Sequence, residues 1–342
     1  MTDFFDLDAQ EQAARLRVLA VNALRQWGVA DSDPRLIKYR ENAVFEVKTA
    51  DGERAALRVH RQGYHSADSL KSELNWMAML AEGGIATPRP IATRSGAMIV
   101  DASAEGAPGA WKVDMLSWLS GRQLGAVGSP LELEGRDVAA LFFRIGECMG
   151  KLHNLSVAWP QQNAQTRPHW DRDGFVGEAP LWGRFWELAA LSPSQKRLFL
   201  DAKAALREDL DRYGRTQGNY GLIHADLVPE NILLNGDAIE LIDFDDAGFG
   251  WHMFEIVTAI YWLAEEPAFD TIRSSVLRGY QAARPLSPRD LDAMEMFYAA
   301  RSLTYLGWVH TRSQTETAVE LTPIMIEVAE KLCADYIARR RR

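Results

Sequence analysis

The chain has 342 residues, 47% hydrophobic and 25% charged, a length and balance that predict a globular protein of two lobes. A formal net charge of −9 argues against a nucleic-acid-binding face, and the closing run Arg339–Arg342 reads as a solvated helix end. No apolar run approaches the ~18 residues of a membrane span, the acidic start MTDFFDLDAQEQ has no leader-peptide pattern, and Cys148 and Cys333 sit in separate helix-like contexts, so we expect a cytoplasmic protein with no membrane partner and no disulfide.

Residues 8–27 carry Ala13, Leu16, Ala20, Leu24 and Trp27 at helical spacing, with Gly28 at the C-cap position, and predict an amphipathic helix. Asp31-Ser32-Asp33-Pro34 is a break. Val44–Thr49 and Ala55–Val59 flank Ala50-Asp51-Gly52-Glu53 and predict a hairpin. A second helix is predicted over 68–82, with Leu70, Leu74, Met77 and Ala81 on one face and Gly83-Gly84 at its end. Ile85–Pro90 contains two prolines and is expected to be extended. Short strands follow at Ala97–Val100 and Trp111–Leu116, separated by a loose segment, Asp101–Gly109, and followed by a hinge at Ser117–Gly121. Beyond Arg136 helices are expected over 136–155, 181–190, 194–213, 251–264, 270–283, 288–310 and 318–340. Trp182 and Trp186 stand four apart, which on a helix gives them one face, as core or as a pocket wall. One hairpin interrupts this half: apolar runs Ile232–Leu234 and Ala238–Ile242 are joined by Asn235-Gly236, a strong turn signal.

That hairpin would fold Asp243 back beside Asn231, which lies five residues after Asp226 in the stretch HADLVPEN from His224 to Asn231. Three short oxygen-bearing side chains then converge at one end of it. Hard oxygens of this kind suit Mg²⁺, which also takes phosphate oxygens. A spare carboxylate beside such a site can orient a hydroxyl and accept its proton, and these are the parts that phosphoryl transfer requires.

HADLVPEN is similar to the kinase catalytic loop H-R-D-x-x-x-x-N, and Ile242-Asp243-Phe244 resembles the DFG segment that follows it. Two departures narrow the resemblance. Protein Ser/Thr kinases carry Lys where Val228 stands, and the Gly of DFG is Asp245. The ending I-D-F-D-D resembles the aminoglycoside phosphotransferase, choline kinase and homoserine kinase group. The resemblance runs from about Leu36 to Leu263. It implies an α+β, protein-kinase-like fold of two lobes: an N-lobe over 1–117 with a small antiparallel sheet, and a larger, mostly helical C-lobe over 118–342. It also implies ATP as co-substrate, Mg²⁺ as cofactor, and a small-molecule hydroxyl as acceptor, an amino alcohol or hydroxy amino acid being in keeping with the group.

Carried over residue by residue, the resemblance makes Asp226 catalytic and gives Mg²⁺ to Asn231 and Asp243. Asp245 joins the metal or faces the substrate, and Asp246 draws a cationic substrate or is a solvated acid. Trp182 and Trp186 lie where the substrate insert of the group falls. Arg58 occupies the strand position of the kinase Lys, and Glu73 on the next helix resembles the acid of that ion pair. Lys48 is the alternative phosphate ligand. Tyr39–Phe45 stands where a glycine-rich loop would be and has no glycine, so backbone N–H groups around Asn42 and Ala43 are the expected phosphate contacts. Met115, Leu116 and Trp118 are expected to wall the adenine. Glu255 stands where relatives place an Asp that holds the catalytic loop's backbone. Two other readings stay open: a Ser/Thr protein kinase of the stress-response type, against which Val228 and the missing A-P-E segment weigh, and a nucleotide-binding pseudokinase regulator, motivated by Arg58 and the missing glycine loop. The oligomeric state leaves no mark on the sequence.

Overall fold

The computed structural model describes residues 4–29, 31–40, 42–132, 135–160 and 165–341. Glu41 of the stretch 39–45 and Arg342 of the closing arginine run lie outside the described residues. The chain divides into two compact units. One comprises Met1–Gly121, Gln162–Thr166 and Glu240–Ile242; the other comprises Arg122–Gln161, Arg167–Ile239 and Asp243–Arg342.

The first unit is built on helix α1 (Ala9–Leu24), which starts where the Asp8 carboxylate accepts the Glu11 N–H at 2.8 Å. Its face of Leu16, Leu19, Ala20, Ala23 and Leu24 packs on a five-stranded sheet. The strands are β1 (Arg35–Tyr39), β2 (Ala43–Lys48), β3 (Arg54–Val59), β4 (Ile99–Ala104) and β5 (Ala107–Ser117), in the order β1-β2-β3-β5-β4 and antiparallel throughout. Ala43, Phe45 and Val47 alternate into the core from β2, and Trp111, Val113 and Met115 do so from β5. Helix α2 (Ala67–Glu82) follows β3, with the Ser66 hydroxyl as its N-cap and Gly83 as its C-cap.

Two parts of this unit depart from the expectation. β1 was not foreseen: it is an edge strand whose first three residues are exposed, so it carries no alternation. The loose segment 101–109 is mostly strand, because β4 and β5 are a hairpin turning at Glu105-Gly106, with Gly106 at φ 83°. Its small and polar residues concealed the strands.

The second unit is mainly helical: α3 (Val138–Ala158), α4 (Arg172–Val176), α5 (Pro193–Tyr213), α6 (His252–Tyr261), α7 (Phe269–Ala283), α8 (Pro288–Asp292), α9 (Met294–Thr311) and α10 (Glu316–Arg340). The chain also forms two small sheets. β6 (Arg122–Gln123), β9 (Ile232–Asn235) and β10 (Ala238–Leu241) run in the order β10-β9-β6, with Gly236 at φ 59° in the Asn-Gly turn. β7 (His169–Trp170), β8 (Tyr220–Ile223) and β11 (Gly248–Trp251) run in the order β7-β11-β8. The helix expected over 181–190 is absent. Gly183 sits at φ 110°, which no helix admits, and only the single turn Phe185–Glu187 is helical. The helix expected over 288–310 is split at Ala293 into α8 and α9. Cys148 and Cys333 are free thiols. Among the described residues no helix is long and apolar enough to cross a membrane.

Candidate active site

The HADLVPEN loop leaves β8 through His224 and turns sharply at Ala225, which sits at φ 66°. A side chain in that left-handed region is strained and persists only where its surroundings hold it. Two buried ionisable side chains do so. The Glu255 carboxylate on α6 accepts the Ala225 N–H at 2.6 Å, and Arg301 Nη1 on α9 donates to the Ala225 carbonyl at 3.2 Å. Glu255 therefore braces the loop despite its extra methylene.

Asp226 follows immediately. Its Oδ1 accepts from Arg301 Nη2 at 2.8 Å, and its Oδ2 accepts from Asn231 Nδ2 at 3.2 Å. Asn231 Nδ2 also donates to the Asp226 carbonyl at 2.8 Å. The Asp226 side chain is 24% exposed, whereas that of Arg301 is fully buried. Burial works against the Arg301 charge, but Tyr305 and Asp226 outweigh it and raise its pKa. The backbone N–H of Asp226 donates to His224 Nδ1 at 3.3 Å, so His224 braces the loop.

The second acidic segment, Asp243–Asp246, is held by its backbone. Arg167 donates to the carbonyls of Phe244 (3.3 Å), Asp245 (2.7 Å) and Ala247 (2.7 Å), and Trp170 Nε1 donates to that of Asp246 at 2.8 Å. Asp243, at φ 65°, is an exposed residue, while Asp245 is buried. Trp182 Nε1 donates to Asp246 Oδ1 at 3.1 Å, and the indole meets Trp170 edge-on. Trp186 does not share that face: it stacks under Lys203 Nζ of α5 at 3.7 Å.

Among the described residues no three Asp, Glu, His or Cys groups cluster at metal-ligand spacing. Mg²⁺ does not need such a cage, since it keeps waters and takes one or two protein oxygens plus phosphate. The residues fit that mode. Asn231 spends its amide nitrogen on Asp226, which leaves Oδ1 as the atom it presents elsewhere, and Asp243 offers its carboxylate.

In the first unit Arg58 and Asp114 face each other across β3 and β5. Arg58 Nε and Nη2 reach Asp114 Oδ1 and Oδ2 at 2.8 and 2.7 Å, a bidentate pair, and Nη1 reaches Glu73 Oε1 at 2.8 Å. His60 Nε2 lies 2.7 Å from Asp114 Oδ2. All four residues are buried. Burial would lift the Asp114 carboxyl, but Arg58 and His60 hold it well below the usual carboxylate range. The expected Arg58–Glu73 pair is thus joined by an acid the sequence did not reveal. Lys48 is exposed and lies four residues along β2 from Val44, the partner of Arg58. Asn42 Oδ1 accepts the Arg61 N–H at 3.1 Å. Leu116 is buried on the face of β5 that carries Asp114, whereas Met115 points into the α1 core on the opposite face. The Trp118 ring lies 4.0 Å below the Arg54 guanidinium.

Sequence reasoning missed Arg301, Arg167 and Asp114. Arg301 had a signal: it is the one charge within the apolar α9 run AARSLTYLGW, and arginine is almost never fully buried unless paired. Asp114 had a weaker one, an acid on a strand predicted beside the strand of Arg58.

The model of the phosphotransferase enzyme family matches residues 35–297. The chain is 25% identical to the amicoumacin kinase of Bacillus subtilis (strain 168) over 314 residues, covering 89% of this chain and 87% of that protein. It is 29% identical to the homoserine kinase of Caulobacter vibrioides (strain NA1000 / CB15N) over 271 residues, covering 78% and 77%. The solved structure of a microcompartment-associated aminopropanol kinase matches with a TM-score of 0.80 at 27% identity, covering 94% of this chain and 97% of that one.

Proposed function

The chain belongs to the phosphotransferase enzyme family and is a kinase, and on that premise we propose that it moves the γ-phosphate of ATP to the hydroxyl of a small amino alcohol or hydroxy amino acid. The observation that carries this reading is the Asp226 carboxylate, gripped at both oxygens yet 24% exposed. A group so held can align a hydroxyl and take its proton, and phosphoryl transfer asks for positioning more than for a strong base.

In this reading the acceptor hydroxyl donates a hydrogen bond to Asp226. Its oxygen bonds to the γ-phosphorus, the bond from that phosphorus to the bridging oxygen breaks, and ADP departs. The hydroxyl proton passes to Asp226. Asn231 Oδ1 and Asp243 would hold Mg²⁺, which would supply neutralisation of the phosphate charge. Each Nη of Arg58 keeps a second hydrogen after its bonds to Glu73 and Asp114, and we assign these to the nucleotide phosphates. Leu116, Trp118 and the adjoining backbone are assigned to the adenine. Aminopropanol and homoserine, for which two of the relatives are named, each carry both an amine and a hydroxyl. Asp246, its Oδ1 fixed by Trp182, is the acid we assign to that amine. The protein-kinase and pseudokinase readings gain no comparable support: the relatives are named for small acceptors, and Asp226, Asn231 and Asp243 are all present.

Transfer from γ-labelled ATP to a panel of amino alcohols, hydroxy amino acids and aminoglycosides tests the reading. We expect transfer to an amine-bearing hydroxyl that needs Mg²⁺ and stops with chelator. Asp226→Asn should cut turnover by ~10²–10⁴-fold while nucleotide affinity holds. Undiminished turnover in that variant, or a preference for acceptors without an amine, would sink it.

A further inference from the structure

We propose that Arg301 is a positioning residue that fixes the carboxylate of Asp226 for proton acceptance. The proposal rests on the assignment of Asp226 made above. The loop itself brings no cation to that acid, because the position two residues on is Val228. The cation comes instead from α9, 75 residues later in the chain.

The geometry leaves Arg301 little else to do. Its side chain is fully buried, so it cannot touch a substrate. Nη2 divides its hydrogens between Asp226 Oδ1 at 2.8 Å and the Tyr305 hydroxyl oxygen at 2.9 Å. That hydroxyl in turn accepts from Trp262 Nε1 at 2.7 Å, which fixes its place. Nη1 holds the carbonyl of Ala225, the strained residue just before the acid. The guanidinium plane is walled by Tyr305 at 4.2 Å and Trp182 at 4.7 Å from the ring centroids. Nε has no hydrogen-bond partner among the described residues. A buried cation left with one nitrogen unsatisfied is a poor stabilising device, since an apolar side chain of like volume would pack there at less cost. It is a good orienting device. Asn231 alone pins one oxygen of Asp226 and lets the carboxylate pivot; Arg301 pins the other.

The role is read from turnover in two backgrounds. Arg301→Met, Arg301→Lys and Tyr305→Phe are made in the wild-type chain and again with Asp226→Asn. Turnover is measured with the best acceptor of the panel, or as ATP hydrolysis by water if none is taken. In the wild-type background we expect Arg301→Met to lower kcat by ~10–100-fold, the usual cost of losing an orienting partner, with the KM for ATP unchanged. Arg301→Lys should recover part of the loss, because an ammonium reaches Oδ1 but does not also span the Ala225 carbonyl. Tyr305→Phe should give a smaller loss. With Asp226→Asn in place, none of the three should lower kcat further, because residues acting as a unit are not additive. If Arg301→Met does not fold, the other two variants carry the same comparison. Equal losses in both backgrounds, or wild-type kcat in Arg301→Met, overturn the proposal. Wild-type turnover in Asp226→Asn alone is the distinct result that fells the functional reading, and this proposal with it.

Discussion

Glu255 and Asp114 are both buried carboxyls, and their surroundings push them in opposite directions. Asp114 lies between Arg58 and His60 and is held low. Glu255 is lifted by burial from the ordinary 4.5 to about 7, with His224 and the loop N–H groups only partly offsetting it. Its other partner, His153, brings no positive charge: burial keeps its pKa well below the usual range. The neutral ring then donates from Nε2 to Glu255 at 3.0 Å and accepts the Tyr280 hydroxyl at Nδ1, 2.7 Å away. The sign of the linkage follows. A folded-state pKa above the unfolded one means that the folded chain binds a proton the unfolded chain releases. The Glu255 contribution is complete below pH 4.5 and disappears as pH rises through about 7. Denaturant unfolding of wild type and Glu255→Gln should therefore diverge across that window, wild type losing about 3 kcal/mol relative to the variant, with little change above pH 8. His153 and His252 titrate the other way, losing their contribution as pH falls. A difference independent of pH would show that Glu255 titrates as an ordinary acid. At this scale Asp226 and Asn231 were legible because five residues separate them, and short spacing is what a motif records. Arg301, Asp114 and Arg167 reach their partners across 75, 56 and 77–80 residues, and nothing local announces such contacts.

Helices α3 and α7 meet through glycine. A Cβ on Gly279 would stand 1.9 Å from the Phe143 carbonyl oxygen, and one on Gly146 would stand 2.0 Å from that of Val276. Backbone is in contact with backbone, so no side chain can move aside. Gly279→Ala gains helix propensity of ~1 kcal/mol, but prising the helices apart costs more, and we expect a net loss of ~1–3 kcal/mol. Urea unfolding of the variant measures it; a gain in stability would mean the helices yield without penalty. Long amphipathic elements were legible because burial imposes their period: α1, α2, α3, α5, α7 and α10 came within a few residues of their ends. β7, β8 and β11 have two to four residues each and are too short to show one. The stretch 181–190 failed for the opposite reason. Trp182 and Trp186 supplied a helical spacing, while Gly183 supplied a backbone angle that breaks the helix.

For the whole chain, a ligand that binds only the folded state raises apparent stability, by about 2.7 kcal/mol at a hundredfold excess over its Kd. Mg²⁺-ATP should raise the melting temperature, and Asp243→Ala should abolish the part of the rise that depends on Mg²⁺ while leaving any metal-free effect. No shift at millimolar Mg²⁺-ATP would refute the nucleotide site. The α+β class and the kinase-like family were legible from a single stretch, His224–Asp246, because that stretch holds the chemistry. The grouping of the chain was less so: Glu240–Ile242 gathers with the first unit although both flanks belong to the second, and sequence has no mark for such interleaving. The family match stops at residue 297, four positions short of Arg301. A protein trimmed to the matched span would keep Asp226, Asn231, Asp243, Arg58 and Glu73, and would lose the cation that grips Asp226, the tyrosine beside it and all of α10. On the roles proposed above for Asp226 and Arg301, every signature would survive the cut while the acid kept only its bond from Asn231, and we expect the smallest active piece to be longer than the pattern by which the family is recognised.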